Sequence, residues 1–174
     1  MPVHVAVLVV VGGLPATGKS TTAEHLARHI RALTRGPNRA GDRRHLATSH
    51  PVGIAGYAVA YALAAERLGL GLAVVLECVN PVAVTRDSWV ETATAACASI
   101  VEVETVCSDA VEHRRRVESR LTDVAGLVKP TWPQVVARGY EPWRRPHIVI
   151  DTALTSVKDA VELIAAEVLA RRRL

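Results

Sequence analysis

The stretch Gly12-Gly13-Leu14-Pro15-Ala16-Thr17-Gly18-Lys19-Ser20, directly after the apolar run of residues 5–11, restricts what this chain can fold into more than any other part of it. Gly13, Gly18, Lys19 and Ser20 fit the G-x-x-x-x-G-K-[ST] spacing of a phosphate loop. A polyphosphate is wrapped by backbone N–H groups, and a side chain at Gly13 or Gly18 would obstruct the close, twisted approach this requires. Residues Gly13, Leu14, Pro15, Ala16, Thr17, Gly18, Lys19, Ser20 and Thr21 are therefore the candidate nucleotide contacts. Lys19 is placed to reach the β- and γ-phosphates and Ser20 to hold Mg²⁺.

The flanks agree with the motif. Residues 5–11 are almost all apolar and rich in valine, as expected of a parallel strand buried on both faces. After the loop, Ala23, Leu26, Ala27, Ile30 and Leu33 recur at helical spacing, with Glu24, His25, Arg28 and Arg31 on the other side. A helix starting near Gly18 turns the positive end of its dipole toward the same anion.

With 174 residues the chain reads as one domain, 1–174. Hydrophobic residues make up 49% of it, yet it has no Phe, so the core must be built from Ala, Val, Leu and Ile, which suits a parallel sheet under helices. Cys78, Cys97 and Cys107 have no C-x-x-C spacing, which excludes a zinc ribbon or disulfide framework. If the first strand lies between those ending near Cys78 and Cys107, these two sit about 10 Å apart. A disulfide tolerates only about 7 Å. The net charge of +4 allows an anionic partner; nucleic acid is possible but not favoured, because phosphate-handling sites are themselves basic. His25 and His29 stand four apart without forming H-E-x-x-H, so no zinc site is expected there. The first apolar run lacks a basic leader and ends in the phosphate loop, and region 52–76 is interrupted by Glu66 and Arg67. The expectation is a cytoplasmic protein with no membrane span.

Residues 34–51 are polar, basic and punctuated by Gly and Pro, and read as a loop with no visible strand. Ile54, Tyr57, Ala58, Tyr61, Ala62, Ala65 and Leu68 mark a second helix closed by Gly69, and 72–76 form the next strand. That strand runs into Glu77, at the end where open α/β sheets collect ligands. Glu77 either orients Mg²⁺ through water or takes a proton, or it is a strand-end charge facing solvent. A helix over 81–96 carries Arg86, Asp87 and Trp89, and a strand covers 100–107. The next helix starts at Ser108 as N-cap. It carries Arg114 and Arg115, read as a solvated face, and Arg116 and Arg120, four apart, which either contact phosphate or adenine or belong to that same face. Residues 121–143 contain Gly126, Pro130, Pro133, Gly139 and Pro142 and read as a lid. A short strand over 147–150 and a helix with Val157, Val161, Ile164, Ala165, Val168 and Leu169 close the chain. Arg171, Arg172 and Arg173 sit where cations complement the helix dipole.

The phosphate loop after a valine-rich strand, the run Cys107-Ser108-Asp109, the run from His113 to Arg120, and Tyr140-Glu141-Pro142-Trp143 together resemble a bacterial group. The chain looks like the small P-loop proteins classed as kinases or AAA-family ATP-binding proteins. These are similar in turn to gluconate kinase, chloramphenicol phosphotransferase and polynucleotide kinase domains. The resemblance implies an α/β, three-layer P-loop NTPase with a parallel sheet in the adenylate-kinase-like order 2-3-1-4-5, helices on both faces, a short lid with arginines matching Arg116 and Arg120, and ATP as donor. It places Arg86 toward the acceptor. Members carry an acid at the end of the second strand; here Asp42 is the available one and no second strand is visible.

The resulting expectation is an ATP- and Mg²⁺-dependent kinase acting on a hydroxyl of a small molecule, with Lys19, Glu77, Arg116 and Arg120 as catalytic candidates and Asp42 and Arg86 as acceptor candidates. The alternatives are a nucleotide-dependent switch or slow ATPase, and a polynucleotide 5′-hydroxyl kinase. The oligomeric state is not legible.

Overall fold

The valine-rich strand β1 (Val7–Gly12) lies at the centre of a five-stranded parallel sheet, with all six of its residues buried. A computed structural model describes residues 5–35, 53–120 and 129–172. After β1 come α1 (Lys19–Ile30), β2 (Leu33–Arg35), α2 (Gly53–Gly69), β3 (Val74–Glu77), α3 (Ala83–Ala95) and β4 (Ser99–Val106). The chain continues through α4 (Ala110–Ser119), α5 (Trp132–Val136), β5 (Ile148–Asp151) and α6 (Val157–Arg171). The strand order is β2-β3-β1-β4-β5, the order the resemblance implied.

Period-two alternation along β1 divides the core into two layers. Val7, Val9 and Val11 pack with Ala23 and Leu26 of α1 and with Ile164 and Val168 of α6. Leu8 and Val10 face the other side, against Ala60, Ala64 and Leu68 of α2 and Trp89 and Ala93 of α3. Without Phe, this second layer takes its bulk from Tyr57, Tyr61 and Trp89; the Tyr61 and Trp89 rings meet edge to face at 4.2 Å. A strand buried on both faces must be apolar at every position, which is why β1 shows no polar alternation.

Several boundaries differ from the sequence expectations. A second strand exists: β2 pairs with β3, Leu33 opposite Val74 and Arg35 opposite Leu76. Leu33, read as the last position of the helical stripe, belongs to it. The helix stops because Arg31 adopts a left-handed conformation (φ 54°) and the Ala32 N–H turns back to the Ala27 carbonyl. Leu72 precedes β3 and is 39% exposed. Asp109 rather than Ser108 caps α4, its carboxylate accepting from the Val111 and Glu112 N–H groups. The three cysteines are free, in keeping with β1 lying between β3 and β4. No helix among the described residues is long and apolar enough to cross a membrane.

Candidate active site

The loop between β1 and α1 is shaped by hydrogen bonds to its carbonyls. The Leu14 carbonyl accepts from Thr17 Oγ1 (2.8 Å) and Lys19 Nζ (2.6 Å), and the Pro15 carbonyl from His113 Nε2 (2.8 Å). Thr152 Oγ1 donates toward the Thr17 carbonyl at 3.1 Å, and the Thr17 and Thr105 hydroxyls pair at 2.8 Å. In a trans peptide N–H and C=O point in opposite directions, so the Pro15 and Thr17 carbonyls, held by His113 and Thr152, turn the Ala16 and Gly18 N–H groups the other way. The first N–H groups of α1 have no intrahelical partner and join them. Two glycines make this path possible. At Gly13 (φ 141°) a Cβ would lie 2.3 Å from the Thr105 carbonyl, and Gly18 (φ 89°) caps α1 with Thr152 Cγ2 at 3.0 Å from where its Cβ would be.

Lys19 is 9% exposed, and burial brings its ammonium from the ordinary lysine range down to about 8. Glu77 opposes that shift, while the Arg120 and Arg138 guanidiniums add to it. Three cations therefore share one electrostatic neighbourhood beside the loop. A polyanion arriving there favours the charged lysine, and its affinity must fall once the free protein has lost that proton. Calorimetric ATP Kd is accordingly expected to rise as pH climbs from about 8 toward about 9.5, by up to about tenfold per pH unit. The same titration with Lys19→Arg, charged throughout this range, should stay flat. A flat profile in the parent protein would contradict the buried, titrating lysine.

Glu77 ends β3 and its carboxylate accepts from the Ser20 hydroxyl. The two residues meet because parallel pairing sets Glu77 beside Val11, just before the loop. Their oxygens, next to the start of α1, are hard donors of the kind Mg²⁺ takes, and one or two protein oxygens suffice when phosphates and water complete its shell. Among the described residues no group of three or more His, Cys, Asp or Glu could hold a metal ion by itself.

Helix α4 crosses the rim of the loop. Glu112, held down at about 2 by its bonds to Arg115 and Arg116, aligns the Arg116 guanidinium. Arg116 then donates to Thr152 Oγ1 (2.8 Å) and the Thr152 carbonyl (3.1 Å), behind Thr17 and Gly18. Arg114 and Arg115 pair with Glu118 and Glu112 on the exposed face, as expected of a solvated surface. Arg120 does not continue the face of Arg116: its backbone is extended (ψ 134°) and ends the helix, its carbonyl accepting from Lys129 Nζ at 2.7 Å.

Arg86 requires a correction. It does not face an acceptor, being 3% exposed and fully engaged with backbone. Its Nε donates to the Asn80 carbonyl (3.1 Å), Nη1 to that of Pro142 (3.0 Å), and Nη2 to those of Pro81 (3.2 Å) and Glu141 (2.5 Å). The guanidinium lies 4.6 Å from the Trp143 ring, whose other neighbour is the His147 ring at 4.6 Å. Arg145 grips buried Glu102 through two bonds of 2.9 Å and also pairs with Asp87. The end of the expected lid, 140–143, is thus tied to the body of the domain. Asp42 and residues 121–128 lie outside the described residues.

The sequence reading missed His113, Thr105 and Arg138. His113 had a signal: it lies four residues before Val117, so it shares the buried face of α4. Thr105 and Arg138 had none, since nothing local says that one meets the loop and the other is near Lys19.

A five-stranded parallel sheet in this order, with a phosphate loop after the central strand and an acid ending the strand beside it, decides the architecture. The fold is that of the P-loop kinases. Solved structures match nearly end to end. A gluconokinase from Sinorhizobium meliloti 1021 is 18% identical, with 99% of this chain and 95% of that one covered and a TM-score of 0.65. Kti12 from Chaetomium thermophilum, in complex with ADP-AlF3, is 20% identical over 95% and 98%, with a TM-score of 0.71. The Mycobacterium tuberculosis APS kinase CysC, in complex with AMPPNP and APS, is 16% identical over 95% and 98%, with a TM-score of 0.67. No protein-family profile and no curated protein matches the sequence.

Proposed function

We propose that this protein is an ATP-dependent kinase that moves the γ-phosphoryl group of ATP to a hydroxyl of a small molecule. The observation that carries the reading is the buried Lys19 in the loop with the Ser20 hydroxyl donating to the Glu77 carboxylate beside it, at the start of α1 and the end of β3. Phosphoryl transfer asks a protein mainly for positioning and charge neutralisation. The loop amides and Lys19 hold the β- and γ-phosphates, and Arg120 and Arg138 meet charge as it spreads over the transferring group. The acceptor oxygen bonds to the γ-phosphorus, the bond to the bridging oxygen breaks, ADP leaves, and the hydroxyl proton passes to a nearby carboxylate, for which Glu77 is the candidate. Ser20 would hold Mg²⁺ directly and Glu77 through a water, which leaves a Glu77 oxygen for the proton; the ion would screen the phosphate charge. Likeness to a gluconokinase and an APS kinase supports a small-molecule acceptor, and we place the protein in the cytoplasm, where ATP is available.

The test is a screen of sugars, nucleosides, aminoglycoside-type alcohols and 5′-hydroxyl oligonucleotides for acceptor-stimulated ADP release. One small-molecule class is expected to stimulate. Arg120→Ala should then lower kcat by about a hundredfold while ATP Kd changes far less, because the arginine meets charge that develops only in the transition state. Stimulation by oligonucleotides alone would make the protein a polynucleotide kinase. No stimulation by any class would make it a switch or a slow ATPase.

A further inference from the structure

The peptide between Pro15 and Ala16 is constrained twice over. Ala16 has φ 65°, a left-handed conformation that a residue with a Cβ adopts at a cost. The carbonyl of the same peptide is held by His113 at 2.8 Å, a bond spanning 98 residues of sequence and made in a buried setting. A carbonyl can only accept, so His113 Nε2 carries the proton. The ring is 7% exposed and meets the Trp132 ring of α5 edge to face, 5.2 Å between centres and 83° between planes, which fixes the direction of Nε2.

We infer that His113 is a positioning residue of the phosphate loop: by anchoring the Pro15 carbonyl outward it turns the Ala16 N–H toward the phosphates of the bound nucleotide. Carbonyl and N–H of one trans peptide are opposed, so fixing one aims the other. Without that anchor the peptide is free to rotate away from the strained Ala16 conformation, and the binding energy of the nucleotide must restore it. Trp132 holds the ring in place, so the segment after α4 and the loop are mechanically joined through one imidazole. This inference rests on the nucleotide-binding half of the proposed function and is independent of the acceptor.

Glutamine carries an amide nitrogen at the place of Nε2, whereas asparagine is one methylene shorter and cannot reach Pro15. Calorimetric titration of the full-length chain and of His113→Gln, His113→Asn and His113→Ala with ATP and Mg²⁺, and separately with inorganic tripolyphosphate, tests the idea. His113→Asn and His113→Ala are expected to weaken both ligands about tenfold, and His113→Gln to stay within about threefold of the parent. Thermal melting of each variant separates this from a loss of fold; should His113→Ala melt early, the comparison of Gln with Asn still decides. Equal affinities for the Gln and Asn variants would overturn the inference, as would weakened ATP binding with tripolyphosphate unaffected. A parent protein that binds neither ligand would instead overturn the nucleotide-binding reading itself.

Discussion

Lys19→Ala is expected to abolish turnover and to weaken ATP binding by about two to four orders of magnitude. The ammonium is the buried cation of the loop, and charge-assisted hydrogen bonds to two phosphates contribute about 1.5 to 3 kcal/mol each. The same side chain costs the ligand-free fold energy. Its folded-state pKa of about 8 lies below the ordinary lysine value, so the penalty is fully present below about 8 and is relieved as pH rises toward about 10.4. The shift amounts to roughly 3 kcal/mol. Lys19→Met, which keeps most of the apolar stem, should therefore melt higher than the parent near neutral pH in the absence of nucleotide, with the gap closing as pH increases. A site held under strain until its ligand arrives gives opposite signs for stability and function. Unchanged ATP affinity together with unchanged turnover would remove the phosphate-loop assignment.

Among the charged side chains of the described residues, Arg86→Ala is expected to give the largest loss of stability. It strips the carbonyls of Asn80, Glu141 and Pro142 of their donor, leaves that of Pro81 with the Glu141 N–H alone, and takes the guanidinium from beside the Trp143 ring. Removing one partner from a buried charged network costs about 3 to 5 kcal/mol. For a domain of this size that is a fall in Tm of about 10 °C or more. Arg86→Lys should recover little, since an ammonium cannot present the planar fork that reaches both the loop after β3 and residues 141–142. Had Arg86 faced an acceptor, as the resemblance implied, the same changes would raise the acceptor KM and leave melting untouched. Melting curves and acceptor KM for the two variants separate these roles.

The local chemistry of the loop was legible because it is local. Glycines at 13 and 18, a lysine and a hydroxyl in fixed order after a buried strand admit few conformations, and from them came the phosphate site, the central strand and, through the resemblance, the strand order. Glu77 was legible for a related reason: parallel pairing brings the ends of neighbouring strands together, so an acid closing an apolar run falls beside the loop. The short strand β2 was hidden because three residues are too few for a period to declare itself, and Leu33 satisfied a helical stripe as well as a strand. What only the tertiary structure decided is which of the charged and polar side chains work inward. Arg86 and Arg116 look alike in sequence, yet one is consumed by the carbonyls of two loops and the other braces the β5–α6 connection behind the phosphate loop. His113 gave little sign that it reaches across 98 residues to a single carbonyl. A hydrogen bond acts over about 3 Å and is indifferent to sequence distance, so its partner is fixed by packing that the whole chain builds together.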